Sequence, residues 1–437
     1  MSLLPRLVLA DSQGRIFDHP RLLMSGRRGN MACVPMDGDL LPLPAESELF
    51  LLPGREPVGF NPRTNDFENC SGQAVAAFAA PGHTLSAHPF YWELDVAPVL
   101  PFFAYGAVAY ARGKFWLWAS RTDNDRRQVF KNIPYGKICS GARMLRAKFP
   151  ANRLIAHIVD NCVFRYGCPA AKNFALGRYE APLPTSRACN AHCLGCISAS
   201  QPDSPPTPTP QCRLDFVPDA AEIAQVMAIH EKREKARPIY SFGQGCEGDP
   251  LLNAPLLAES IRIFRSWPGG GGGTVNCNSN ASRPEAVALL AGAGLSSLRI
   301  SLNSARPEHY MAYYNPSDYD FTQVEESARI ARRKGIFVSL NLLWFPGLTD
   351  CNAELTALAS FCRKNGVSMI QWRNLNIDPH WYLRHMRERG LVNDDQDSQP
   401  MGLNLFMRRL KEMCPWLRFG YFNPWLGARA SIIAPEV

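Results

Sequence analysis

From residue 238 onward the apolar positions repeat a pattern: a short unbroken apolar run, a glycine-rich or polar turn, then a longer stretch with apolar residues three and four apart. The runs Pro238–Phe242, Thr274–Cys277, Leu298–Leu302, Gly335–Leu343 and Val367–Trp372 predict strands. Between and after them, helices are predicted over 252–265, 283–293, 319–334, 352–364 and 380–389. One more precedes them at 220–236, where Ile223, Val226 and Met227 form a single apolar stripe. Ser282 and Glu285 have capping-box spacing for the helix at 283, and Asp350 is a natural cap for the one at 352. A strand leading into Cys189 brings the count of strands to six. Apolar strands separated by helices make a parallel sheet covered by helices. The expected fold is therefore α/β, a partial (β/α)6 parallel barrel over residues 172–390.

Upstream the pattern changes. Glu48–Leu52, Ala107–Ala111 and Lys114–Trp118 are short apolar alternations bounded by Pro and Gly, the mark of short strands. Helical spacing is sparse before about residue 141. Residues 1–171 are read as a separate, β-rich N-terminal region and 391–437 as a C-terminal extension. Within the barrel, Pro202–Pro210 is too stiff and donor-poor for helix or sheet and reads as a surface loop near Cys196. Gly269–Gly273 lacks the Gly-Lys-Ser/Thr of a phosphate loop and precedes a strand, so it reads as a flexible loop.

Composition adds limits. Apolar residues make up 46% and charged residues 20%, the balance of a globular protein with a substantial core. The apolar start is broken by Pro5 and Arg6, which makes it poor as a signal peptide, and no run approaches a membrane span. Fourteen scattered cysteines read as cytosolic thiols, so a cytoplasmic location and no membrane partner are expected. The net charge of +8 gathers late, in residues such as Arg384, Arg387, Arg408 and Lys411 on helix-like stretches. Solvated faces explain it, and nucleic acid is not an expected partner.

The chemistry centres on Cys189, Cys193 and Cys196. Thiolates suit iron–sulfur clusters or zinc, and both a closed zinc site and an ordinary four-iron cluster take four protein ligands. Here there are three. His192 would have to fold back beside Cys193 to be a fourth. The economical reading is a four-iron cluster with one iron left open. Parallel α/β barrels collect chemistry at the carboxyl ends of their strands. There the sequence places Gly245, Glu247, Gly248 and Asp249 in a turn whose glycines let backbone approach a ligand. An ordinary turn with Asp249 near a cap is the plainer reading. Ser301 and Asn303, two apart, point to one strand face, unless Asn303 caps the next helix. Asn341 and Arg373 mark later strand ends. Cys162, Cys168 and Cys246 read as buried thiols.

Cys-x3-Cys-x2-Cys resembles the signature of the radical S-adenosylmethionine (radical SAM) superfamily, whose open iron binds the amino and carboxylate groups of SAM. Gly195 stands where that family commonly has an aromatic residue. Gly248-Asp249-Pro250 is in register with the family's Gly-Gly-Glu-Pro element, which holds the SAM amino group; Asp replaces Glu, and Glu247 is a second acid nearby. Ser301 and Asn303 match positions that hydrogen-bond the SAM ribose, and Phe345–Asp350 is similar to a Pro-Gly-x-Thr-Asp turn of several members. The resemblance covers about 172–390. It implies a [4Fe-4S] cluster on Cys189, Cys193 and Cys196, with SAM held among Gly245, Glu247, Gly248, Asp249, Ser301, Asn303, Asn341 and Arg373. It further implies a reductant such as flavodoxin or ferredoxin. Reductive cleavage of SAM would yield a 5′-deoxyadenosyl radical that abstracts hydrogen from a peptide, protein or small molecule. No catalytic residue and no substrate follow from it. The reading from a different class is a non-enzymatic iron–sulfur or structural zinc protein.

Overall fold

Seven parallel strands run side by side in chain order in the computed structural model, which describes residues 4–36, 38–268, 271–392 and 399–427. They are β1 (Glu180–Leu183), β2 (Ile239–Phe242), β3 (Thr274–Ser279), β4 (Ser297–Leu302), β5 (Phe337–Trp344), β6 (Met369–Asn374) and β7 (Arg418–Gly420). Every residue of β1, β2 and β3 is buried, as a sheet covered on both faces requires. Helices α4 (Ala220–Arg233), α5 (Ala254–Ser266), α6 (Pro284–Ala293), α7 (Pro307–Tyr314), α8 (Phe321–Arg333), α9 (Asn352–Asn365), α10 (Pro379–Glu388) and α11 (Leu403–Met413) connect or flank them. Their apolar stripes close on Tyr240, Leu298, Leu340 and Trp372 in one core.

That core does not stop at residue 171. Helices α1 (Tyr135–Lys148), α2 (Arg153–His157, continued by a wider turn over Ile158–Arg165) and α3 (Pro169–Leu176) contribute Ile138, Leu145, Ile155 and Phe174 to it. β7 was not expected. Three residues, Arg-Phe-Gly, carry no readable alternation, yet Ile370 pairs with Phe419 and the C-terminal segment extends the sheet beyond six strands.

Two predicted caps do not form. Arg283, without a side-chain bond, precedes α6; Ser282 is instead spent on the Asn190 side chain at 3.0 Å. Cys351 caps α9, while the Asp350 carboxylate accepts the backbone N–H groups of Gly347 (2.6 Å) and Gly402 (3.0 Å). Asp350 thus ties its own turn to the start of α11. Elsewhere the expectation from spacing is met by other residues, as in the capping box of Asp320 and Gln323 on α8.

Residues 6–121 form an antiparallel sheet of eleven strands and a smaller one of three. This region docks on the carboxyl-end rim of the parallel sheet through buried polar contacts. Thr84 Oγ1 donates to the Trp372 carbonyl (2.9 Å), Leu85 N–H donates to Asn374 Oδ1 (2.8 Å), and Trp344 Nε1 donates to the Leu85 carbonyl (2.9 Å). Arg55, fully buried, pairs with Asp378 at 2.9 Å and Glu93 at 2.6 Å.

Candidate active site

A cavity of about 380 Å³ opens at the carboxyl ends of the strands. One wall is the turn after β1, with Cys189, Cys193, Gly195 and Cys196. The loop after β2 brings Gly243, Gly245, Glu247, Gly248 and Asp249, and β3 ends in Asn278 and Ser279, followed by Asn280. Ser301, Asn341 and Arg373 face it from β4, β5 and β6. Phe78, Ala79 and Ala104 of the antiparallel region cover part of its mouth. The predicted site residues therefore share one cavity, with one exception.

The exception is Asn303. β4 ends at Leu302, the alternation that would have put Asn303 beside Ser301 is lost, and the side chain turns away. Its Nδ2 donates to the His309 carbonyl at 3.0 Å, in the first turn of α7, and it lines a small separate pocket with Tyr382. In that position it does not line the cavity that Ser301 faces.

Both acids of the glycine-rich loop hold backbone. Glu247 accepts N–H groups from Thr185 (2.8 Å), Ser186 (3.0 Å) and Gly243 (2.6 Å), and burial pushes its carboxyl up to about 8 against those bonds. Asp249 accepts from Leu251 N (3.0 Å), Asn280 N (2.8 Å) and the Ser279 hydroxyl (2.8 Å), and burial raises its pKa also. Together they lock the end of β2 to those of β1 and β3. Behind the same loop, Cys246 Sγ meets Cys162 Sγ at 3.7 Å; that contact, aided by His157, pulls the Cys246 thiol down to about 6.

Gly248 is pressed against the chain leading into the motif. Its N–H donates to the Ser186 carbonyl (2.7 Å), the next N–H to the Ala188 carbonyl (2.9 Å), and a Cβ would lie 1.8 Å from Ala188 O. At Gly195 a Cβ would meet the Tyr313 hydroxyl at 2.7 Å, so the glycine makes room for an aromatic brought from α7.

The donor set fits an iron–sulfur cluster better than one ion. Thiolates on a single zinc stand about 3.8 Å apart at Zn–S bonds of about 2.3 Å. Among the described residues, the group whose ligand atoms all come within 4.8 Å lies elsewhere, and the three motif thiols are more widely spread. His192 is not a fourth ligand here: Nδ1 is paired with Gln201 (2.7 Å) and Nε2 with the Ser317 hydroxyl (3.1 Å). Burial pushes the Cys189 thiol up to about 11 and raises that of Cys193 as well, so a metal is what would draw off their protons. For a ligand beside the cluster, the Asn341 Oδ1 is buried and lacks a hydrogen-bond partner.

Residues 183–359, from the end of β1 into α9, match the family model of the radical SAM superfamily. These residues are a radical SAM domain. The family implies a [4Fe-4S] cluster and SAM as cofactors, and the radical SAM domain accounts for the three-cysteine motif. No curated protein matches the chain. Among solved structures, it is similar to Streptococcus suis SuiB bound to S-adenosylmethionine at 11% identity, covering 62% of this chain and 50% of that one (TM-score 0.34). It is also similar to HydG, a maturase of the [FeFe]-hydrogenase, at 15% identity, covering 68% and 66% (TM-score 0.38). A third is methylornithine synthase at 13%, covering 64% and 76% (TM-score 0.35). The chain spans about half the length of the SuiB structure, and at these scores the likenesses bear no weight for substrate.

Several residues of the radical SAM domain's cavity were not foreseen. Asn278, Ser279 and Asn280 had a signal, the polar run that ends the third apolar strand. Arg299 had none: it lies inside β4, donates to Gln371 Oε1 (3.0 Å), and burial with Arg373 nearby pulls its pKa down to about 9. Arg213, far from the motif in sequence, donates to the Ser198 hydroxyl (3.2 Å) and reaches within 3.9 Å of Cys196 Sγ.

Proposed function

We propose that the chain is a radical SAM enzyme that cleaves S-adenosylmethionine on a [4Fe-4S] cluster held by Cys189, Cys193 and Cys196, within a partial barrel closed at its mouth by the antiparallel region. Cys189, Cys193 and Cys196 would hold the cluster, which when bound would supply the electron for reductive cleavage of SAM to methionine and a 5′-deoxyadenosyl radical able to abstract hydrogen from the substrate. The observation that supports this reading is three thiols on the wall of a cavity otherwise lined by strand-end Gly, Asp, Ser and Asn, with the neighbouring His192 already paired and no fourth thiol among the described residues lining that cavity.

The chain's own contribution is placement and exclusion. The loop 243–249 is held rigid by Glu247 and Asp249, so its cavity-facing edge meets SAM without reorganising. Asn341 and Ser301 offer polar atoms deep in the cavity, and Arg373 and Arg299 give it positive charge suited to a carboxylate. Phe78, Ala79 and Ala104 keep water from the mouth, which a primary carbon radical requires. The substrate is a peptide, protein or small molecule, and a flavodoxin or ferredoxin supplies electrons. The apolar core joining α1–α3 to the parallel sheet favours a unit boundary near 122–134 over one at 171. The location is the cytoplasm.

The test is anaerobic reconstitution followed by SAM and dithionite. About four irons per chain and release of 5′-deoxyadenosine are expected, both lost when the three cysteines become alanine. Zinc bound in place of iron and lost in that triple variant would establish the structural-knot reading instead.

A further inference from the structure

We propose a second metal site, on the far side of the loop 243–249 from the cavity, in which His157 Nε2, Cys162 Sγ and Cys246 Sγ hold a thiolate-preferring divalent ion of the zinc class. All three residues are buried and their ligand atoms lie within 4.8 Å of one another. The two sulfurs are 3.7 Å apart. Two thiolates on one tetrahedral zinc stand about 3.8 Å apart, so the pair already has the edge length of such a site. A disulfide would need them to close to about 2.05 Å.

The imidazole is prepared in the way of a metal ligand. Its Nδ1 lies 3.1 Å from Asn161 Nδ2, and turning that amide over places Oδ1 there to accept the ring N–H of the metal-binding tautomer, while Nε2 is buried without a hydrogen-bond partner. Histidines that bind metals tie down one ring nitrogen and give the other to the ion. The backbone is shaped for it as well. Tyr166 N–H bonds to the Asn161 carbonyl and Cys168 N–H to that of Cys162, both at 2.8 Å, so the helix widens over Ile158–Arg165. At 3.6 residues per turn, positions five apart point about 140° away from each other. The wide turn brings His157 and Cys162 together, and such turns gather at functional sites.

The third ligand gives the site its purpose. Cys246 belongs to the loop that lines the cavity and is followed directly by Glu247. An ion at this point fastens that loop to the helix behind it. Binding needs two thiols to lose their protons and involves no oxidant. Three protein ligands leave the fourth position to water or to an outside ligand.

The test uses the full chain, purified anaerobically with zinc supplied, with zinc and iron both counted by mass spectrometry. The expected result is about one zinc per chain, lost in C162S/C246S and in H157Q while the iron content stays. Zinc retained in the triple alanine variant of Cys189, Cys193 and Cys196 would separate this site from the cluster motif. Should the serine variants fail to fold, cobalt titration of the chelator-treated, reduced triple alanine variant of Cys189, Cys193 and Cys196 decides the matter. Tetrahedral cobalt–thiolate absorption supports the site, and its absence overturns it. Zinc unchanged in C162S/C246S, or a Cys162–Cys246 disulfide found by non-reducing peptide mapping of the anaerobic protein, also overturns it.

Discussion

Replacing Gly248 by alanine tests why that glycine is there. If it serves only to let SAM approach, the variant should lose cofactor affinity and nothing else. The geometry gives a different expectation. The new methyl would lie 1.8 Å from the Ala188 carbonyl oxygen and 2.3 Å from its carbon, one residue before Cys189. Overpacking of this kind costs about 1–3 kcal/mol. The movement that relieves it strains two backbone hydrogen bonds, Gly248 N to Ser186 O and Asp249 N to Ala188 O, worth about 0.5–1.5 kcal/mol each. The sum is roughly 2–6 kcal/mol. With an unfolding entropy of about 2.1 cal/mol/K per residue, a chain of 437 residues shifts by about 1 °C per kcal/mol, so the melting midpoint falls by roughly 2–6 °C. Because the displaced segment carries Cys189, iron occupancy should fall along with it. The assay is iron analysis and thermal denaturation of anaerobic protein, with Gly292→Ala as control. That α6 glycine has nothing within 4 Å of a built Cβ, and its alanine should stabilise by about 1 kcal/mol. Full iron and an unchanged midpoint in Gly248→Ala, with only SAM binding weakened, would refute the reasoning.

Asn341→Ala should keep its stability but bind SAM about twofold to tenfold more weakly in equilibrium dialysis, the value of one hydrogen bond of about 0.5–1.5 kcal/mol. Asn303→Ala should do the reverse, melting lower by the loss of its bond to the His309 carbonyl while binding SAM as the parent does. Arg55→Met leaves Asp378 buried without its cation and should cost about 3–5 kcal/mol in chemical denaturation.

The contrast between those two asparagines shows where the sequence ran out. Ser301 could be placed because it lies within a strand, where alternation is obligatory; Asn303 could not, because the strand stops one residue earlier and the chain turns. The cysteine spacing and the strands from 239 to 374 are local patterns and were legible. Ser282 and Asp350 had good capping credentials, but each found a partner far away in sequence, and local spacing carries no information about that competition. β7 and the joining of α1–α3 to the main core rest on long-range packing in the same way. Arg213 and Tyr313 reach the three-cysteine turn from 17 residues beyond Cys196 and from α7, so nothing near the motif announces them.

The buried Arg55–Asp378 contact also means that the parallel-sheet part of this chain draws the countercharge of Asp378 from the antiparallel part, where Arg55 keeps Glu93 as a second partner. Cut in the loop between Arg121 and Tyr135, the molecule becomes a lock and its key rather than an enzyme and an appendage. Two such fragments have a built-in address for each other. Losing Arg55 from one fragment would leave Asp378 in the other with a buried charge that nothing answers, so the fit between the two halves can be switched off at a single residue.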